Sequence, residues 1–173
     1  MKKFFIICSC ALALFSCASY DNYYKLDENY LARRQMETAH FDTNDEELIL
    51  SASAGVLQDL GFTIDESETK LGLITASKKR EAGNTGAKIA LIMLSALSKS
   101  NNPPVYDTEQ KIYTTLVSTK SLNSNGYNVR IEFARIIWNN KNESRIEKIT
   151  DPKIYQDFFD KLGQSLFLTA NSI

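Results

Sequence analysis

Past position 17 the chain has no cysteine: Cys8, Cys10 and Cys17 are the only three. The 156 residues that follow Cys17 therefore hold no internal disulfide framework, no thiolate zinc site and no cysteine nucleophile. Histidine is nearly as scarce. His40 stands alone, which removes a histidine-rich metal centre, and neither a metal nor a cofactor is expected. Positive charge is not in surplus either, with 20 Lys and Arg against 21 Asp and Glu. A protein that neutralises phosphates needs such a surplus on one face, so nucleic acid is not an expected partner. The two apolar runs, Phe4–Phe15 and Ala87–Leu97, both fall short of the roughly 20 residues that a membrane-spanning helix needs. Reaction motifs are missing too. There is no Gly-x-Ser-x-Gly, and Gly83-Asn84-Thr85-Gly86 lacks the Gly-Lys-Ser/Thr ending of a phosphate loop.

What is present begins with a targeting pattern. Lys2 and Lys3 precede an apolar stretch broken only by Ser9, and Ser16 is the small residue before Cys17. A buried core helix would not need a positive start followed by such an apolar run, whereas a secretory leader does. Ile7-Cys8-Ser9-Cys10 offers a competing cleavage box, but cutting there would leave a very short apolar region and expose Ala11–Phe15; Cys17 is the better site. Removing residues 1–16 takes away Lys2 and Lys3 and no acid, leaving 18 basic and 21 acidic side chains, a net charge of −3. The expected organisation is a signal peptide over 1–16, a lipidated Cys17 with a tyrosine-containing tether over 17–34, and one domain over 35–170. At 43% hydrophobic and 24% charged, that domain can bury one core.

Along the domain, Gln35–Phe41 reads as a first strand. Thr43 followed by Glu46 fits a capping box. Ile49, Ala52, Ser53, Val56, Leu57 and Leu60 then make a one-sided helical stripe that stops at Gly61. Phe62 and Ile64 open a strand, Glu66–Lys70 is a polar turn, and Leu71–Ser77 returns, with Lys78-Lys79-Arg80 at its exit. Ala87–Leu97 is apolar on more than one side and reads as a buried helix or a contact element. Gln110–Leu122 and Tyr127–Trp138 alternate as strands around Asn123-Ser124-Asn125-Gly126, a hairpin signal. Arg145–Ile149 would pair back. Asp151 and Pro152 start a last helix with a stripe of Tyr155, Phe158, Phe159, Leu162, Leu166 and Phe167. The order β-α-β-β-(α)-β-β-(β)-α predicts an α+β two-layer sandwich, an antiparallel sheet with two main helices on one face.

The chemical candidates are few. A lone His40 is read as a surface or satisfied residue before it is read as a base, because no nucleophile or acid accompanies it in sequence. Asp65, Glu66 and Glu68 are read as a solvated turn, and Asp157 and Asp160 as the wet side of the last helix. Lys78, Lys79 and Arg80, with Ile89, Leu91, Ile92, Met93 and Leu94 of the apolar segment, form the candidate surface for an envelope protein partner or a membrane. A second expectation is a small apolar or lipid ligand held between sheet and helices by Tyr113, Phe133, Phe158 and Phe159. No catalytic residue is assigned, and the protein is not expected to be an enzyme.

Leu14-Phe15-Ser16-Cys17 resembles the lipobox of bacterial lipoproteins, in which a peptidase cuts before the cysteine and its thiol is acylated. Ala18, where Asp would mark inner-membrane retention, implies sorting to the outer membrane of a diderm bacterium, on its periplasmic face. Leu57–Ile64 (LQDLGFTI), Leu71–Lys78 (LGLITASK) and Tyr155–Phe159 (YQDFF) resemble a family of uncharacterised bacterial lipoproteins over about Arg34–Leu168. The helix, the Gly-Phe step and the strand rising from Leu-Gly are also similar in topology to lipoprotein subunits of the outer-membrane β-barrel assembly machinery. These resemblances imply an address and a fold, with Cys17 as the membrane attachment; they bring no activity.

Overall fold

A computed structural model describes residues 28–82 and 104–170 of the chain. The chain divides between Ala32 and Arg33 into two units, and all of the contacts that follow lie within the second. The Ala87–Leu97 segment and Cys17 lie outside the described residues.

The expected first strand is strand for only part of its length. Helix α1 (Tyr30–Met36) takes Gln35 and Met36, and β1 is Thr38–Phe41. Arg33 lies one helical turn before Glu37; their side chains approach to 3.5 Å, and the Glu37 amide donates to the Arg33 carbonyl at 2.9 Å. That i,i+4 pair favours a last helical turn over an early start to the strand. Helix α2 (Glu46–Asp59) is capped by Asp45, whose carboxylate accepts from the Leu48 amide at 2.9 Å. The expected cap, Thr43, instead accepts from the Asp45 amide at 3.3 Å, so the helix starts after Asp45. The stripe falls where the spacing puts it: Ile49, Ala52, Ser53, Val56 and Leu57 are buried, and Gly61 ends the helix at φ 81°.

The expected turn over Glu66–Lys70 is mostly strand. β2 runs Thr63–Glu68, a short 3₁₀ turn covers Thr69–Leu71, and β3 begins at Leu73 and continues to Glu81. Gly72 makes the reversal possible. Its φ is 62°, and a Cβ there would stand 2.6 Å from the Ser118 carbonyl oxygen. β4 (Asp107–Lys120) and β5 (Tyr127–Asn139) form the expected hairpin, with Gly126 at φ 97° pressed against the Phe41 carbonyl. β6 is Ser144–Lys148, and α3 is Pro152–Ala170. Tyr155, Phe158 and Leu162 of α3 are buried, whereas Phe167, expected in the same stripe, is 65% exposed because it falls beyond the edge of the core.

Among the described residues the six strands are antiparallel throughout, in the order β1-β5-β4-β3-β2, and β6 also pairs with β5. β1 and β6 share the outer edge of β5 end to end: β1 lies along Tyr127–Arg130 and β6 along Ala134–Trp138. At the junction the Tyr155 hydroxyl donates to the Ile149 carbonyl at 2.6 Å, which ties α3 to the sheet edge. α2 and α3 cover one face, and one core joins them to β3, β4 and β5. This is a two-layer α+β sandwich. Among the described residues, no helix is long and apolar enough to cross a membrane.

Candidate binding cleft

Residues paired across antiparallel strands share a face, so the register sorts the helix-facing side chains into rows. Ile74, Leu116 and Ile131 form one row, and all three are 0% exposed. Ala76, Thr114 and Phe133 form the next, also buried. The third row is Lys78, Ile112 and Arg135, each half-buried, and the fourth brings Arg80 beside Gln110. Within two rows the surface under the helices changes from aliphatic to cationic.

At that change the sandwich opens. A cavity of about 270 Å³ is lined by Leu60, Phe62, Phe133 and Phe158 on its apolar side, with Ile112, Ile149, Ile154 and Asp157 around it and Lys78 and Arg80 on its cationic side. A groove of about 410 Å³ shares Arg80, Ile112, Ile149 and Ile154 with it and adds Arg135, Lys148 and Asp151. Lys78 lies against the apolar wall. Its ammonium donates to the Leu60 carbonyl at 3.0 Å and sits 4.3 Å from the centre of the Phe62 ring. Burial, and then the positive charge of Arg80, push the Lys78 ammonium below its ordinary pKa.

The acids near the cleft are already engaged. Both Asp157 oxygens accept from Lys153 at 2.8 Å, one turn earlier on α3. Asp151 accepts from the Lys153 amide at 3.0 Å. Arg135 donates to Glu147 at 2.9 and 2.7 Å. No ion pair among the described residues involves Lys78 or Arg80.

The basic run is thus split. Lys78, Lys79 and Arg80 lie inside β3 and not at its exit, so the alternation of a strand sends Lys78 and Arg80 to the helix-bearing face and Lys79 to the other, where it meets Glu109 at 3.5 Å. Their proposed companions Ile89, Leu91, Ile92, Met93 and Leu94 lie outside the described residues. Of the four side chains expected around a ligand, Phe133 and Phe158 line the cavity. Phe159 packs on Phe158 and Phe41, with ring centres at 5.5 and 6.5 Å. Tyr113 lies on the opposite face, since its neighbours Ile112 and Thr114 face the helices; there it lies 4.6 Å from the Lys111 ammonium. Sequence reasoning missed Arg135, Lys148, Ile149 and Ile154. The only trace of them there was the period of two in β5, which places Arg135 on the side of Ile131 and Phe133.

Two further polar groupings stand elsewhere. His40 meets Asn128 Oδ1 at 3.1 Å through Nδ1 and Ser124 Oγ at 3.5 Å through Nε2, while Ser124 and Ser121 hydroxyls lie 2.8 Å apart. His40 is solvent-exposed, and its partners are an amide and a hydroxyl with no carboxylate. Glu37 is 6% exposed in a notch of about 110 Å³ between β1 and β6; burial, and then the neighbouring Glu132, push its carboxyl above its ordinary pKa. Asp65 accepts from the Ser77 hydroxyl at 3.0 Å on β2, apart from the cleft. Among the described residues, no group of three or more His, Cys, Asp and Glu is placed to hold a metal ion.

No protein-family model matches the sequence, and no curated protein matches it. What defines the molecule is an α+β sandwich that opens at one end into a cleft of mixed apolar and cationic character.

Proposed function

We propose that the chain is an envelope lipoprotein, held by an acylated Cys17 at the periplasmic face of the outer membrane, and that its α+β body is a non-enzymatic accessory or interaction module. The anchor rests on the leader, in which Lys2 and Lys3, the apolar Phe4–Phe15 stretch and Ser16-Cys17 follow in the order of a lipoprotein signal. An acylated cysteine holds a body firmly because each buried methylene contributes roughly 0.8 kcal/mol. The module reading rests on the cleft, which offers recognition chemistry, an apolar wall beside two cations, with no nucleophile and base in contact within it among the described residues. Replacing Cys17 with alanine tests the anchor. Cells fed radiolabelled palmitate should label the parent protein and not C17A, and C17A should leave the outer-membrane fraction. Unchanged labelling and fractionation would overturn the reading.

A second reading is favoured by the cavity itself: a small apolar or lipid ligand between sheet and helices. Phe133 and Phe158 are the aromatic walls it needs, and about 270 Å³ lies just under the lower end of ordinary ligand sites, roughly 300 Å³. Saturable binding of a medium-chain amphiphile, decanol or decanoate, would support it, and the failure of both to bind would count against it.

A further inference from the structure

We infer that the cleft takes an anionic single-chain amphiphile, its chain against Leu60, Phe62, Phe133 and Phe158 and its anionic head on Lys78 and Arg80. The inference rests on the ligand-binding reading and specifies the ligand's chemistry.

The cleft has a direction. Its apolar wall is made by the end of α2, the start of β2, the middle of β5 and the first turns of α3, all parts of the core. Its other wall is β3, where strand alternation puts Lys78 and Arg80 two residues apart on one side. A ligand lying across it would meet hydrocarbon at one end and two cations at the other. A wholly apolar ligand would leave both cations unanswered, and a small anion would leave the aromatic wall wet.

Charge complementarity sets the sign of the head. Lys153 holds Asp157 and Glu147 holds Arg135, whereas Lys78 and Arg80 have no ion-pair partner among the described residues. Lys78 is also partly withdrawn from water, and among the described residues its ammonium meets one carbonyl and one ring. An ammonium has three N–H donors, so two remain for a ligand oxygen. A partly desolvated cation next to a guanidinium is worth more to a carboxylate or phosphate than the same charges in open solvent. The volume limits the tail: about 270 Å³ suits one chain rather than a pair of long ones.

The test is a calorimetric titration of decanoate, decanol and acetate into the full chain held in phosphatidylcholine nanodiscs, with empty nanodiscs subtracted. Decanoate should bind with one-to-one saturation about tenfold or more tightly than decanol, the expected advantage of charge-assisted hydrogen bonds to the head. Acetate, a head without a tail, should not saturate. R80Q should remove the preference for decanoate over decanol, and R80K should keep most of it. K153Q, which frees Asp157 beside the cleft, should weaken decanoate alone. The thermal midpoint of each variant reports that it is folded. Equal affinity for decanoate and decanol, or an unchanged preference in R80Q, overturns the inference and leaves the ligand-binding reading standing. Failure of both ligands to bind overturns the two together.

Discussion

The two ends of the helix-covered sheet face are built from the same strands and behave differently. At the closed end, Ile74, Leu116 and Ile131 meet Ile49, Leu57 and Leu162 with no solvent exposure at any of the six. At the open end, two rows further along, Lys78, Ile112 and Arg135 are half-buried and the layers part around a cavity. No change of secondary structure marks the transition; β3, β4 and β5 run straight through it. A sheet face is therefore a core only where the opposing helices supply a second wall. Where α2 ends at Gly61, the same alternation that built the core presents charge and aromatic surface to a cleft.

The sharpest way to break this contrast is to shorten one aliphatic side chain in each region. Leu116→Ala should cost about 2–5 kcal/mol, because its walls cannot collapse into the space left behind. Ile112→Ala, two rows further along and at the cleft itself, should cost less than half as much, since water can fill what is removed. Urea unfolding measures both. Equal losses would mean that the open end is packed as tightly as the closed one.

A smaller effect comes from the half-buried ammonium of Lys78. The folded pKa of Lys78 lies below that of the unfolded chain, chiefly through burial and then through Arg80. In the window between the two values the unfolded state binds more protons, so stability rises as pH rises through the lowered pKa toward 10.5. Thermal midpoints recorded across the alkaline range should show this rise in the parent and lose it in K78M. A parallel pH dependence in the two proteins would place Lys78 in open solvent, contrary to the cleft as described.

The smallest effect is expected outside the cleft, at the exposed ion pairs beyond it. Arg145 bonds Asp107 at 2.7 and 2.8 Å and Glu147 at 2.8 Å, and these partners hold its guanidinium in the charged form. R145Q should nevertheless leave the thermal midpoint nearly unchanged at physiological salt, because exposed ion pairs are screened and contribute little. A clear drop would show that β6 depends on this network rather than on its pairing with β5.

Much of the architecture was legible because its signals are local. The stripe from Ile49 to Leu57, the stop at Gly61, the hairpin at Gly126 and the start at Pro152 each involve residues within a turn or two of one another. The errors arose where a local signal had two meanings. Three successive cations looked like a strand exit, yet a strand tolerates them when alternate residues face different surroundings. Thr43 looked like a cap, but Asp45 stood closer to the first turn. Gln35 and Met36 looked extended, but the pair Arg33 and Glu37 closed a helical turn over them.

The sequence by itself determined the α+β class, the two helical faces, the stop at Gly61 and the hairpin at Gly126, since periodicity and positive-φ demands act over a few residues. Only the tertiary structure decided that Lys78 stands in one row with Ile112 and Arg135, and that Arg80 comes to face Ile149 and Ile154. Those neighbours come from segments far apart in the chain, and their meeting depends on strand register and on where two helices end, quantities that no short stretch of residues specifies.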